Sequence, residues 1–251
     1  MPAPPDWFAA DWPAPPRVRT LFTTRQGGVS QPPFDTMNLG TQVGDDAAAV
    51  EQNRARLSGL LPAAPGWMRQ VHGTRVVDAA QAALRMEEAD ACVALSDGQV
   101  CAVLVADCLP VMLCDRRGTV VAVAHAGWRG LAAGVLEETV ARLAIAPSEL
   151  LAYLGPAIGK DAFEVGSDVL EAFAARDPAM GACFTPKAPG LSGEPKWLGD
   201  LPELARRRLR AVGITNVWGG QLCTYSDPAR FYSHRRDRRT GRQAALIWLE
   251  P

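Results

Sequence analysis

What most constrains this chain is a set of short, almost uninterrupted apolar runs at 100–106, 111–114 and 120–124. Each is strand-sized and far below the ~18–20 residues of a membrane span. A strand without polar alternation has to be covered on both faces. The chain must therefore place further layers on both sides of a central sheet. The second and third runs flank Asp115-Arg116-Arg117-Gly118, which reads as a hairpin connection. Periodicity and turn residues predict further strands over 17–24, 67–79, 150–154, 214–218, 230–235 and 243–249. A helix capped by Asp45 or Asp46 runs to about Leu61, and a second spans 127–144. A short helix follows from Ser167 or Asp168 to about Ala175, and another begins at Asp200 and stops at Gly213. Pro and Gly leave 181–199 irregular. No repeat or linker divides the chain. The expected fold class is α+β, a single layered α/β domain with mixed sheets over 18–251, after a Pro-rich lead-in at 1–17.

The 251 residues are 48% apolar and 21% charged, which excludes disorder as the main state. Twenty-six basic against 27 acidic side chains give a net charge of -1, which argues against a general nucleic-acid binder. The run Arg230, Arg235, Arg236, Arg238, Arg239 and Arg242 accordingly reads as a solvated basic face. The opening Met1-Pro-Ala-Pro-Pro-Asp-Trp has neither a basic n-region nor an apolar h-region, so no signal peptide is expected. Six cysteines without a C-x-x-C pair then read as reduced thiols in the cytoplasm.

The chemistry concentrates in Ala106-Asp107-Cys108-Leu109-Pro110 and Ala124-His125-Ala126-Gly127-Trp128-Arg129-Gly130. A regular hairpin centred between Arg116 and Arg117 pairs Cys108 with His125, at about 4.5–5.5 Å between Cα atoms and on one face. A thiol beside an imidazole is a thiolate nucleophile with its base, two ligands of a metal such as zinc, or a buried cysteine near a structural histidine. The chain has three histidines. His72 is the remaining candidate for a third ligand, because His234 lies among arginines.

Gln70-Val71-His72-Gly73, the two segments above, Gly155-Pro156-Ala157-Ile158-Gly159, Phe163-Glu164-Val165-Gly166 and Cys223-Thr224-Tyr225 together resemble the YfiH family. It is also called the laccase-domain or peptidoglycan-editing-factor family. The segments at 22–30, 38–40 and 235–242 fit as well, so the likeness runs from about residue 18 to the end. One departure is His234, where many relatives carry tyrosine. The resemblance implies a layered fold shared with toxin cysteine hydrolases, and zinc bound by His72, Cys108 and His125. It also implies phosphorolysis of purine nucleosides (adenosine, inosine, methylthioadenosine) with adenosine deaminase activity beside it. An older family assignment is copper-dependent polyphenol oxidation. Two imidazoles and one thiolate leave an open metal position, the catalytic pattern. Asp107 and Glu164 are then the candidate carboxyls for acid–base work. Arg25, Arg129 and Arg235 or Arg236 are candidates for phosphate, since guanidinium forks fit its oxygens. Asn38 is a candidate for a base edge or sugar hydroxyl, and Trp128 and Tyr225 for stacking. The expected partners are a purine nucleoside and phosphate, with no nucleic acid, membrane or obligate protein partner. The alternative reading is a cysteine hydrolase editing peptidoglycan precursors, with Cys108 as nucleophile and His125 as base.

Overall fold

The computed structural model describes residues 6–190 and 193–250. Strand β1 (Val18–Phe22) precedes helix α1 (Ala47–Ser58), whose cap Asp46 accepts the Ala48 N–H. Short strands β2 (Pro65–Gly66) and β3 (Val76–Asp78) bracket an irregular stretch before helix α2 (Ala79–Leu84). Four strands follow: β4 (Ala91–Ala94), β5 (Val100–Val105), β6 (Leu109–Asp115) and β7 (Val121–Ala126). Helices α3 (Trp128–Ala133) and α4 (Val135–Leu143) lead to β8 (Leu150–Leu154), β9 (Glu164–Val165) and α5 (Ser167–Ala174). The chain closes through β10 (Phe184–Lys187), β11 (Lys196–Gly199), α6 (Leu201–Ala211), β12 (Val217–Gly219), α7 (His234–Asp237) and β13 (Gln243–Leu249). No helix among the described residues is long and apolar enough to cross a membrane.

The fold is mixed α/β. A four-stranded sheet has the order β1-β13-β5-β2, a six-stranded sheet the order β12-β8-β6-β7-β4-β3, and a small one the order β10-β11-β9. Parallel and antiparallel pairings coexist in the two larger sheets. The apolar runs are explained by burial on both faces. In β6, Leu109, Val111 and Leu113 pack toward helices α3–α6, while Met112 and Cys114 face the second sheet. In β5 and β13 the alternation repeats one layer further out. Cys101, Val103, Ala245 and Ile247 face inward, while Ala102, Leu246 and Trp248 meet Met37, Leu39 and Leu57. Burying each of the Val, Leu, Ile and Met side chains fully contributes about 1.5–3 kcal/mol, which is what makes the layering obligatory. His125 shares its face with Val121 and Val123, so it sits at one end of the layer between the two large sheets.

Several expectations are corrected. The strand over 67–79 survives only as β3; the backbone bearing His72 is a loop, with His72 itself at φ 60. The helix over 127–144 is broken at Gly134, whose φ of 112 no helix accommodates. The segment 230–235 joins no sheet. Tyr232 N–H instead bonds the Gln243 side chain at 2.9 Å, and Ser233 caps α7. Within 181–199, where 191 and 192 lie outside the described residues, β10 and β11 form a hairpin. Pro186 is tolerated there because β10 is an edge strand. Of the Pro-rich 1–17 segment, residues 1–5 lie outside the described residues. Trp7 is buried and Phe8 pairs with Phe22 across β1.

Candidate metal centre

Three elements deliver three donors to one point. His125 comes from the end of β7, Cys108 from the bend before β6, and His72 from the loop before β3. Their ligand atoms all lie within 4.8 Å of one another. Cys108 Sγ is 3.6 Å from His72 Nε2, and the two imidazoles meet edge to face at 4.8 Å between centroids.

The hairpin reaches this arrangement by a different register from the one expected. Pro110, not Cys108, faces His125, a slide of two residues along β6. The cause is a longer connection. Asp115 accepts the N–H groups of Thr119 at 2.6 Å, Val120 at 3.1 Å and Arg117 at 3.3 Å, and the Thr119 hydroxyl at 2.9 Å. A two-residue slide keeps the face. Cys108 itself lies just outside the ladder, after Asp107 at φ 89.

Sequence reasoning missed Asp90, which is fully buried. Its Oδ1 accepts His125 Nδ1–H at 2.8 Å and the His72 N–H at 2.9 Å. Its Oδ2 accepts Gly73 N–H at 2.7 Å and Val71 N–H at 3.2 Å. A carboxylate can only accept, so His125 carries its proton on Nδ1 and turns Nε2 toward the centre. One side chain thus orients one donor ring and pins the backbone that carries another. The only sequence signal was an acidic residue set directly against the apolar stretch Ala91–Ala94. On the other side, the Gln70 amide pairs with both backbone groups of Leu104 at 2.8 Å, tying the same loop to β5.

Electrostatics follow from these contacts. Burial alone would raise the Asp90 carboxyl, but His125 and the N–H groups of Gly73 and Val71 hold it below the usual carboxylate range. Burial pushes the Cys108 thiol up, yet the charge and hydrogen bonds of His125 and His72 outweigh it and bring it down to about 6. Burial opposes a charged His125, but Cys108 and Asp90 raise it to about 9.

The donor set fits a metal. Tetrahedral zinc, with bonds of about 2.3 Å to sulfur and 2.0–2.1 Å to nitrogen, needs donors roughly 3.3–3.7 Å apart. The 3.6 Å between Cys108 and His72 already meets that. The widest separation, within 4.8 Å, closes by about 1 Å of side-chain rotation. Gly127 leaves the room: a Cβ there would come within 2.7 Å of His72 Cδ2 and 3.1 Å of Cys108 Sγ.

The three donors open into a cleft of about 460 Å³, within the size range of small-molecule sites. Arg129 lines it, with its guanidinium 4.4 Å from the centroid of the Trp128 ring and no hydrogen-bond or ion-pair partner among the described residues. The other sequence candidates are engaged elsewhere. Arg25 holds Asp35 and the Pro228 carbonyl, each at 3.1 Å. Asn38 is buried, donating to Gly40 O and Asp45 and accepting from the N–H groups of Gly40 and Arg242. Asp107 accepts the Thr224 hydroxyl at 2.6 Å and the Arg235 N–H at 2.7 Å. Arg235 donates to the Glu164 carbonyl at 2.7 Å. The Glu164 carboxylate pairs with Lys187 at 2.5 Å, which holds it below its usual range.

A layered mixed α/β fold with a His–Cys–His group that could hold a metal ion narrows the class of protein, and the comparisons give the family. The family described as multi-copper polyphenol oxidoreductase laccase matches residues 19–250. A purine nucleoside phosphorylase of Pseudomonas aeruginosa is 54% identical over 245 residues, covering 97% of this chain and 98% of that one. Purine nucleoside phosphorylase YfiH of Escherichia coli is 50% identical, covering 95% and 96%. A Neisseria meningitidis protein of known crystal structure superposes with a TM-score of 0.91 at 50% identity, covering 98% and 100%. YlmD from Geobacillus stearothermophilus gives 0.83 at 31% identity, covering 98% and 96%. The chain belongs to the YfiH, or laccase-domain, family.

Proposed function

We propose that this protein is a zinc-dependent purine nucleoside phosphorylase acting on adenosine, inosine and methylthioadenosine, with adenosine deamination beside it. The observation that carries the reading is the His72–Cys108–His125 group at a cleft whose charged lining besides it is cationic, with Arg129 free to take an anion. The names of the Pseudomonas and Escherichia relatives point the same way. His72, Cys108 and His125 would hold the metal, and a bound zinc supplies Lewis-acid polarisation of a substrate oxygen. Arg129 holds phosphate by a two-pronged hydrogen bond. Met68, Met86, Leu104 and Val105 offer the apolar wall against which a purine face packs. Asp90 fixes the His125 tautomer. Asp107 and Arg235 act as positioning residues, joining the Cys108 bend to α7 and to the β9 backbone. We assign the reaction to the cytoplasm, where six free thiols stay reduced.

Zinc suits the donor set better than a multi-copper cluster, since three histidines in the whole chain are too few imidazoles for one. A second reading is favoured by the order Asp90–His125–Cys108, which is also that of a cysteine hydrolase for cell-wall precursors. One experiment separates the two. The protein is assayed with adenosine, with and without phosphate, before and after chelation, beside Cys108→Ala and metal analysis. Phosphate-dependent adenine release, lost on chelation and in C108A, supports phosphorolysis. Inosine formed without phosphate reports the deaminase. A metal-replete protein that releases no base from adenosine, inosine or methylthioadenosine refutes the reading. Amide hydrolysis by metal-free protein, abolished by alkylating Cys108, establishes the alternative.

A further inference from the structure

One imidazole lining the cleft remains without a role. His234 is exposed there, at the first position of α7. Its backbone is firmly placed. The Ser233 hydroxyl accepts the Arg236 N–H at 3.2 Å, and the Arg235 N–H bonds Asp107, the residue before Cys108. The imidazole itself has no hydrogen-bond, ion-pair or ring partner among the described residues.

Phosphorolysis places a demand that such a group answers. The bond between the sugar C1′ and purine N9 breaks with its electron pair leaving on the purine. An unprotonated purine is a poor leaving group, and a proton delivered to its N7 makes it a good one. Among the described residues, no carboxylate lines the cleft. Arg54, Arg69, Arg129 and Arg242 line it too, but arginine is a hydrogen-bond donor rather than a proton donor in proteins. On the proposed reading His72, Cys108 and His125 would be held by the metal. Thr41, Gln42 and Gln70 offer no proton that moves near pH 7. Imidazole is the side-chain type suited to proton transfer there.

We infer that His234 is the general acid that protonates the leaving purine, an assignment that rests on the phosphorolysis reading. The imidazolium gives its proton to purine N7 as C1′–N9 breaks. An oxygen of hydrogen phosphate forms the new bond to C1′. The proton still carried by the resulting sugar phosphate monoester returns to His234, so the cycle consumes only nucleoside and phosphate.

The test compares His234→Gln and His234→Asn with the parent protein on two substrates, inosine and 7-methylinosine. The second carries its methyl and positive charge on N7 already, so its base departs without an acid. Loss of the acid should lower kcat on inosine by about 100-fold or more, and on 7-methylinosine by about threefold or less. The alkaline limb of the parent's kcat–pH profile should disappear in both variants, and metal content should stay at the parent value. An equal fall on both substrates, or an undiminished rate on inosine, overturns the assignment and leaves phosphorolysis standing. A parent protein that releases base from none of adenosine, inosine, methylthioadenosine and 7-methylinosine refutes phosphorolysis itself, and the assignment with it.

Discussion

Replacing Gly127 by alanine should damage the candidate metal centre while leaving the backbone alone. Gly127 has φ -60 and ψ 153, which any L-residue adopts. The added methyl would sit 2.7 Å from His72 Cδ2 and 3.1 Å from Cys108 Sγ. Carbon atoms rest at about 3.5–4.0 Å, so the His72 ring must retreat by about 1 Å. Its backbone cannot follow, because the His72 N–H is bonded to Asp90 at 2.9 Å and its φ is 60. The ring therefore swings outward. Metal–donor bonds tolerate only about 0.2 Å, so His72 leaves the donor set. Loss of even an indirect partner of a ligand costs 10–100-fold in affinity, so G127A should fall by at least about 100-fold, or ~2.7 kcal/mol. His72 is exposed and has space to move, so the stability of metal-free protein should change by only about 1 kcal/mol. Competition against a chromophoric chelator measures the affinity, and urea unfolding of metal-free protein measures the stability. A variant that binds zinc as tightly as the parent refutes the close-approach argument.

Two further perturbations follow from the same contacts. Asp90→Asn turns an NH2 group toward backbone N–H donors in a fully buried site. It should cost about 3 kcal/mol or more in urea unfolding of metal-free protein, and a loss below about 1 kcal/mol would contradict the pinning role. Asp115 is the pH-sensitive clamp of the β6–β7 turn. Burial would raise its carboxyl, but the N–H groups of Thr119, Val120 and Arg117 and the Thr119 hydroxyl lower it. A depressed carboxylate stabilises the fold above its unfolded value near pH 4, and that stabilisation is lost as pH falls through the lower folded value. Asp115→Asn should thus be about 1.5–3 kcal/mol less stable at pH 7, with the gap shrinking toward pH 3. A gap that is constant with pH would show that charge plays no part.

The elements legible in the chain were those set by near neighbours. The runs at 100–106 and 120–124 announced doubly covered strands, because all of their residues except Leu104, which lines the cleft, are buried whichever face they take. Asp46 and Asp200 announced their helices because a cap acts on N–H groups within three residues. The turn at Gly134 was audible as a glycine but not as a break, since only the packing around it demands a positive φ. The segment bearing His72 looked like a strand because Trp67, Val71, Val76 and Val77 are β-prone, although they do not alternate strictly. Its partners, however, are the Asp90 carboxylate and the Gln70 amide rather than a neighbouring ladder.

The same division runs through the site. Residue types paired Cys108 with His125 and left His72 as the remaining candidate, and the family resemblance implied the three as one ligand set; spacing alone did not select them from six cysteines and three histidines. Motifs favoured Arg25 and Arg129 over Arg235, but which of the two stands free was undecidable along the chain. Tertiary structure separates them: acceptors from distant segments engage Arg25 and Arg235, while none among the described residues reaches Arg129. Asp90 and His234 emerge for the same reason. A side chain's chemistry is written in its type, but its availability depends on which remote donors and acceptors folding brings against it.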